Sequence, residues 1–198
     1  MMFQAINKLK YRNTPLLVKN KMKVRKVGLS DLQELRDIGI KSYVPHYARM
    51  WKPDGLEWYL NRCFGDKFLQ NELIDPNVEY YIISSAEQNI GVMKLVLHKP
   101  LPNSDIENAL YLEKIYFIKE WTGKGIGREL VNFAFERAKE TNCDCVWLVA
   151  MDTADKPVQA YERAGFTIHS HRFLDFELMK DEFKGTFVMK KCFETNGN

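Results

Sequence analysis

The spacing of apolar residues changes most sharply between residues 112 and 140, where an extended pattern gives way to a helical one. A β-branched and aromatic run over 115–118 indicates a strand. Polar residues and glycines follow, and apolar side chains then recur every four residues at Ile126, Leu130, Ala134 and Ala138. The pattern predicts a strand, a tight turn and an amphipathic helix in direct succession.

The other elements follow from the same periodicities. Strands are predicted over 23–27, 78–84, 90–97, 109–118, 145–150, 167–176 and 185–193. Helices are predicted over 30–43, 55–64, 66–74, 125–140 and 155–164. A capping box formed by Ser30 and Gln33 begins the first helix, and Pro45 ends it. Because 145–150 is apolar almost throughout, we expect a strand buried on both faces and joined to 109–118 by a right-handed parallel crossover.

The segment 43–53 is dense in aromatic residues and has no clear period. Two interpretations compete for it: a packed corner of the fold, or a lid or wall of a substrate pocket. His46 lies in this segment and is a candidate for lining such a pocket.

Three glycines stand at every second position between the predicted strand and helix, at Gly123, Gly125 and Gly127. Such a turn leaves backbone N–H groups unpaired at a helix N-terminus, where anions and above all phosphate bind. The spacing matches neither a Walker A loop nor a Rossmann fingerprint, in which the third glycine would fall at Leu130. We therefore expect a phosphate-binding turn of another kind.

The string Thr122-Gly123-Lys124-Gly125-Ile126-Gly127 resembles the pyrophosphate loop of the GNAT superfamily of acetyl-CoA-dependent N-acetyltransferases, whose pattern is Arg/Gln-x-x-Gly-x-Gly/Ala. Thr122 occupies the Arg/Gln place. Downstream, the string from Gln159 to Phe166 is similar to the family's Ala-x-x-x-Tyr-x-x-x-Gly-Phe ending, with Ala154 and Pro157 as departures. The strings Leu-Glu-Lys-Ile-Tyr and Val-Trp-Leu look closest to bacterial spermidine/spermine-type small-amine acetyltransferases.

The resemblance implies an α+β, GNAT-type fold over 23–198: a central mixed, mostly antiparallel sheet of about seven strands, flanked by about four to five helices. It implies transfer of an acetyl group from acetyl-CoA to a primary amine, a polyamine or other small amine, by direct attack through a tetrahedral intermediate. No metal is implied. The residues that would bind the coenzyme are Ile115, Tyr116, Phe117, Thr122, Gly123, Lys124, Gly125, Ile126, Gly127 and Arg128.

This chemistry needs a neutral amine, a donor for the oxyanion and an acid for the departing thiolate. The resemblance assigns the oxyanion donor to the backbone N–H of Tyr116 or Phe117, and the acid to Tyr161. For the base, Glu113 is the first candidate, Asp152 is the second and Glu79 is a distant third.

Charge is distributed unevenly along the chain. The net charge is +3, but the first acidic residue is Asp31, and removal of the basic extension at 1–22 leaves 24 basic against 26 acidic residues. We expect this extension to be flexible. The slightly acidic remainder suits a cationic acceptor such as a polyamine, although a peptide acceptor stays open. The alternative function is a catalytically weak binding module whose basic extension contacts nucleic acid, which the sparse charges make the weaker hypothesis.

Length and composition are those of one soluble globular domain, with 198 residues of which 45% are hydrophobic and 28% charged. No apolar run is long enough for a membrane helix, and the start lacks a secretory signal pattern. His169 and His171 alternate on one strand, but no further ligand completes a metal site. We therefore predict a cytoplasmic, metal-free monomer or homodimer with reduced cysteines at Cys63, Cys143, Cys145 and Cys192.

Overall fold

A single eight-stranded sheet organises the protein in the computed structural model, which describes residues 16–18 and 22–194. The strands are β1 (Leu16–Val18), β2 (Met22–Lys26), β3 (Val78–Ser85), β4 (Gln88–Val96), β5 (Ala109–Phe117), β6 (Cys145–Met151), β7 (Thr167–Phe173) and β8 (Gly185–Cys192). The α-helices among the described residues are α1 (Leu32–Tyr47), α2 (Gly55–Phe64), α3 (Asp66–Ile74), α4 (Ile126–Glu140) and α5 (Asp155–Arg163).

The strand order across the sheet is β1-β2-β3-β4-β5-β6-β8-β7. Every described pair is antiparallel except β5 with β6, which α4 connects as a parallel crossover. Strands β2 to β8 are the seven predicted ones, so the predicted α+β architecture is confirmed. The last strand in sequence, β8, lies between β6 and β7, so β7 forms the edge of the sheet.

Strand β1 falls inside the predicted extension at 1–22 and pairs with β2. The rest of that extension, apart from Met22, lies outside the described residues. Its five basic side chains, on which the nucleic-acid hypothesis depends, lie there too. The expectation that the extension is flexible therefore stays a prediction.

The β3–β4 hairpin turns on two residues with left-handed backbone, Ala86 (φ 47°) and Glu87 (φ 64°). Two consecutive positive φ angles make a two-residue turn whose twist matches that of the flanking strands. The sequence predicts the two strands from their apolar runs, at 78–84 and 90–97, but neither turn residue is of the type that favours this conformation, so the strand ends at the turn differ from the prediction.

The core forms where the predicted apolar stripe of α4 meets the sheet. Leu130, Ala134 and Ala138 of that stripe have no exposed surface, and α4 packs across β5 and β6. The predicted burial of β6 on both faces is also confirmed, since its consecutive residues Val146 and Trp147 are both buried. Helix α1 packs across β4 and β5 and contacts α2 and α3.

Both predicted boundaries of α1 were wrong. The helix continues through Pro45 to Tyr47, because a proline in the last turn removes a single backbone bond while Ala48 N–H still donates to the carbonyl of Val44. At the other end the Ser30 box does not form. Instead the backbone N–H of Gly28 donates to the Asp31 carboxylate at 2.9 Å, and a short 3₁₀ turn precedes the helix.

Within the described residues no helix has both the length and the apolar character that crossing a lipid bilayer requires.

Candidate active site

A cleft opens in the sheet where the two parallel strands part. The register between β5 and β6 runs from Ala109 opposite Cys145 to Leu112 opposite Leu148. Beyond this point the two strands no longer pair with each other, although β5 still pairs with β4 and β6 with β8. On the other side of β5, Leu95 pairs with Leu112 and Lys94 pairs with Lys114, so that Glu113 is the extra residue of a β-bulge. A bulge bends a strand, and here it stands at the point where β5 leaves β6.

The alternation of a strand decides which backbone groups of β5 face this cleft. Ile118 N–H donates to the carbonyl of Ile90 at 2.9 Å, next to the end of β4. Since N–H groups two residues apart point to the same side, Tyr116 faces β4, and Ile115 and Phe117 face the cleft. The carbonyl of Phe117 accordingly lies 2.9 Å from His46 Nε2, which must carry the proton because a carbonyl only accepts. The sequence had left Tyr116 and Phe117 as alternatives for the oxyanion donor, and the geometry favours Phe117.

The glycine turn ends the cleft at the N-terminus of α4. Gly123 (φ 73°) and Gly125 (φ 80°) adopt left-handed backbone, and Gly125 is the residue that caps the helix. A Cβ at Gly123, Gly125 or Gly127 would meet nothing within 4 Å, so the surface above the turn is open. The first intrahelical bond runs from Arg128 N–H to the Gly125 carbonyl, which leaves the N–H groups of Ile126 and Gly127 free for a ligand. The turn fits a pyrophosphate.

The polar side chains of the turn contact residues close to them in sequence. Thr122 Oγ1 donates to the carbonyl of Lys119 at 2.9 Å, and Lys124 Nζ lies 4.4 Å from the centroid of the Trp121 ring. The anion-binding capacity of the turn as it stands therefore comes from its backbone, and the replacement of the family's Arg/Gln by Thr122 leaves those donors intact.

A cavity of about 670 Å³ continues from the cleft into the protein. Its walls come from the diverging parts of β5 and β6, from α5, and from the aromatic segment of α1 and the following turn. Residues of this segment both pack and line the cavity. Trp51 is buried away from the wall, Tyr43 and Met50 are buried and also line the cavity, and His46 and Tyr47 line it with part of their surface exposed. The packed-corner and pocket-wall interpretations therefore both apply to this segment.

Tyr161 lines this cavity from α5. The helix ends at Gly165, whose φ of 92° lets the chain reverse so that Phe166 N–H donates to the Tyr161 carbonyl and the two rings meet edge to face. Burial raises the pKa of Tyr161 to about 12, with a smaller contribution from Tyr47. The phenol is therefore protonated at neutral pH and can donate.

Glu113, the bulge residue, also lines the cavity and lies between two buried lysines. Its carboxylate pairs with Lys94 at 2.7 Å and with Lys114, and these lysines are only 3% and 4% exposed. Burial alone would raise the pKa of Glu113, but the attraction and hydrogen bonds of Lys114 and Lys94 outweigh it and lower the pKa below its ordinary value. The cavity wall therefore holds an ionised carboxylate.

The other two base candidates lie elsewhere. Asp152 is not part of the cavity wall, and its Oδ2 lies 2.8 Å from His171 Nε2. Glu79 is buried beneath α4, where Arg137, Lys26 and Tyr81 bind its carboxylate. His169 lies 3.0 Å from the carbonyl of Pro102, so it has a different partner from His171. In the part of the chain that the structure describes, no three potential metal ligands cluster.

Several charged residues of the cavity were not anticipated from the sequence. Two of them, Lys94 and Lys114, interrupt otherwise apolar strands, which is the one signal that could have indicated a buried role. The others stand in segments without distinctive spacing: Arg62, Glu72 and Arg172.

The sequence profile of the Acetyltransferase (GNAT) family matches residues 38–166. The chain belongs to this family. It is an N-acetyltransferase that uses acetyl-CoA as co-substrate. An uncharacterised N-acetyltransferase of Lactobacillus delbrueckii subsp. lactis is 22% identical over 171 residues, covering 86% of this chain and 97% of the relative.

Solved GNAT structures share the fold. The PaiA N-acetyltransferase of Thermoplasma acidophilum, in complex with coenzyme A, superposes with a TM-score of 0.64 at 18% identity and covers 87% of this chain and 99% of its own. A mutant of the spermidine N-acetyltransferase SpeG from Vibrio cholerae gives a TM-score of 0.62 at 16% identity, over 87% of this chain and 94% of its own.

Proposed function

We propose that the protein transfers an acetyl group from acetyl-CoA to a primary amine of a small molecule bound in the cavity, by direct attack through a tetrahedral intermediate. The split between β5 and β6 carries this proposal, because it opens into a cavity that reaches Thr122, next to the glycine turn, and because it leaves backbone N–H groups of β5 facing the cleft. An N–H of Phe117 that faces the cleft is placed to donate to an oxyanion.

The side chains at the wall supply the two proton transfers. Tyr161, protonated at neutral pH, is the acid that we assign to the departing thiolate. Glu113 is the base that we assign, since it is the ionised candidate that lines the cavity. Its lowered pKa makes it a weak base, so we expect the proton to leave the ammonium through water rather than by direct transfer. Asp152, engaged by His171 away from the wall, has no role in this proposal.

The acceptor is proposed as a class, a small primary amine. A spermidine acetyltransferase among the similar structures and the slightly acidic body of the chain make polyamines one group to test.

The four described cysteines are free thiols, which fits the expected reducing cytoplasm.

The decisive binding experiment uses three variants of one residue, Gly125. Gly125→Ala, Gly125→Gln and Gly125→Glu share the same strain at φ 80°, and all three side chains point into open space. Glutamine and glutamate differ in charge alone. By calorimetric titration we expect Gly125→Glu to bind acetyl-CoA at least about 100-fold more weakly than Gly125→Gln, because a carboxylate would stand where the pyrophosphate sits.

Equal affinities of folded Gly125→Glu and Gly125→Gln proteins would contradict this placement of the coenzyme. Transfer itself is measured as thiol release from acetyl-CoA in the presence of polyamines, amino acids and peptides. Tight acetyl-CoA binding without release for any acceptor would favour the alternative of a binding module, which filter binding of the full chain to DNA or RNA would then examine.

A further inference from the structure

The cavity walls carry more positive than negative charge. Two carboxylates and four cationic side chains line the cavity, and the cations are in excess although the body of the chain is slightly acidic. The six residues are Glu72, Glu113, Arg62, Lys94, Lys114 and Arg172.

The two carboxylates pair with the lysines and with one tyrosine. Glu72 binds Lys94 and accepts a hydrogen bond from Tyr80, while Glu113 binds Lys94 and Lys114. Neither carboxylate pairs with an arginine, and among the described residues no carboxylate lies within ion-pair distance of Arg62 or Arg172. A ligand with two or three ammonium groups would meet a wall of its own sign.

The two arginines differ in the contacts that their guanidinium groups make. Arg62 lies over aromatic rings, 5.6 Å from the centroid of Trp58 and 5.9 Å from that of Phe176. Arg172 has no such contact, and its Nε is buried without a hydrogen-bond partner. Buried polar nitrogens are almost always hydrogen-bonded, so an unpaired one at a cavity wall indicates a missing acceptor.

The position of Arg172 is fixed by the sheet. Arg172 pairs with Thr186 of β8, and Thr186 pairs with Met151 of β6; all three residues line the cavity. Thr186 Oγ1 also donates to the Arg172 carbonyl at 3.0 Å. The row places Arg172 two strand spacings, about 10 Å, from the β6 side of the cleft. A small acceptor that spans this distance can therefore contact Arg172 at one end and the β6 side of the cleft at the other.

We infer that the acceptor amine also carries a carboxylate, and that Arg172 binds this carboxylate at the far end of the cavity. The inference rests on the proposed function and narrows its substrate class to amino-carboxylates, with diamines and polyamines as poor acceptors. A guanidinium matches a carboxylate with parallel N–H donors, and Nε is one of the donors available for such a pair. An anionic group on phosphorus would use the same donors, so the experiment separates the two.

The test compares acceptors that differ in one group. Lysine and ornithine are paired with 1,5-diaminopentane and 1,4-diaminobutane, which lack only the carboxylate, and β-alanine is paired with O-phosphoethanolamine. We expect kcat/KM for lysine or ornithine to exceed that of its diamine by about tenfold or more. β-Alanine should be a better acceptor than O-phosphoethanolamine.

Arg172→Ala should remove the advantage of the carboxylate by raising KM for the amino acid, with the diamine changed by less than about twofold. Arg172→Lys keeps the charge and the aliphatic stem and should restore part of the advantage. Arg36→Ala removes an arginine that pairs with Asp66 and does not line the cavity, and it should leave kcat/KM for both acceptors unchanged. Calorimetric binding of lysine to the enzyme with coenzyme A gives a readout that does not depend on turnover.

Three results would overturn the inference. These are a wild-type preference for the diamines, equal losses for both acceptors in Arg172→Ala and Arg172→Lys proteins of normal melting temperature, and a preference for O-phosphoethanolamine over β-alanine. Turnover of diamines or spermidine alone would leave the proposed acetyl transfer standing. Absence of turnover with every amine would overturn the proposed function itself and the inference with it.

Discussion

Leu112 and Leu148 form the last register pair between β5 and β6, and beyond them the two parallel strands run apart. The N–H groups of Ile115 and Phe117 face the gap, whereas that of Tyr116 faces β4. In the free protein we expect the amides of Ile115 and Phe117 to exchange with solvent at least about tenfold faster than that of Tyr116. Hydrogen exchange followed by NMR measures this, and acetyl-CoA should slow the two cleft-facing amides. Equal protection of all three amides would contradict the assigned directions.

Loss of the Tyr161 hydroxyl should affect turnover rather than binding. We expect Tyr161→Phe to lower kcat by about 10²-fold, because the thiolate would depart without a proton, while acetyl-CoA affinity stays within about threefold. Steady-state kinetics and calorimetry provide the two numbers. Tyr81→Phe, which removes a buried phenol away from the cavity, is the matched control and should retain kcat. An unchanged kcat in Tyr161→Phe would reduce Tyr161 to a packing role.

The carboxylate of Glu79 should govern stability in acid. Burial would raise its pKa, but hydrogen bonds from Arg137, Lys26 and Tyr81 lower it from 4.5 to about 2. The folded state therefore holds this proton more weakly than the unfolded chain does. The corresponding stabilisation, about 3 kcal/mol, is complete above pH 4.5 and is lost as the pH falls towards 2.

Glu79→Gln removes this dependence and leaves Arg137 with only its pair to Glu140. We expect the variant to be about 3 kcal/mol less stable at pH 7, and its stability to change less between pH 5 and pH 3 than that of the wild type. Urea unfolding at several pH values measures both effects. Parallel pH profiles of the two proteins would show that the Glu79 pKa is not lowered.

Gly91 permits the close approach of β4 to β5 at the cleft. A Cβ at this position would lie 2.2 Å from the Tyr116 carbonyl oxygen, so Gly91→Ala must displace the cleft-forming part of β5. We expect a loss of about 1–3 kcal/mol in unfolding free energy together with weaker acetyl-CoA binding. Gly28→Ala, where nothing lies within 4 Å, is the control and should change neither quantity appreciably. Normal stability and affinity of Gly91→Ala would show that β5 tolerates the shift.

Local physics explains why most elements were predictable. The stripe of α4, the glycine turn and the Gly165 helix end depend on residues close in sequence, and each appears in the structure where the pattern indicated. The two wrong boundaries of α1 came from the same local rules that predicted the other elements correctly. Rules for proline and for capping describe an average context, whereas Pro45 lies in a final turn and Asp31, not Ser30, reaches the free N–H.

The candidate site was predictable only in part. Glu113 and Tyr161 were identified from their places in the family pattern, but the lysines that keep Glu113 ionised come from β4 and from the neighbouring bulge position. Asp152 follows a strand just as a base could, yet its side chain meets His171, which is 19 residues away. Such pairings depend on which strands are neighbours, and a single sequence does not specify distances across a sheet.

The sequence by itself therefore determined the glycine turn, the crossover helix and the end of α5 at Gly165, because turn, helix and cap are set by short-range sterics and hydrogen bonding. The tertiary structure decided which amides face the cleft, which of the candidate carboxylates lines the cavity, and that the cavity is lined by more cations than anions. The physical reason is that these properties arise from strand register and from charged residues that the fold brings together from β4, β5, β7, α2 and α3. The bulge at Glu113 shifts the register between β4 and β5 by one residue, and a shift of one residue changes which side of the strand the following groups face.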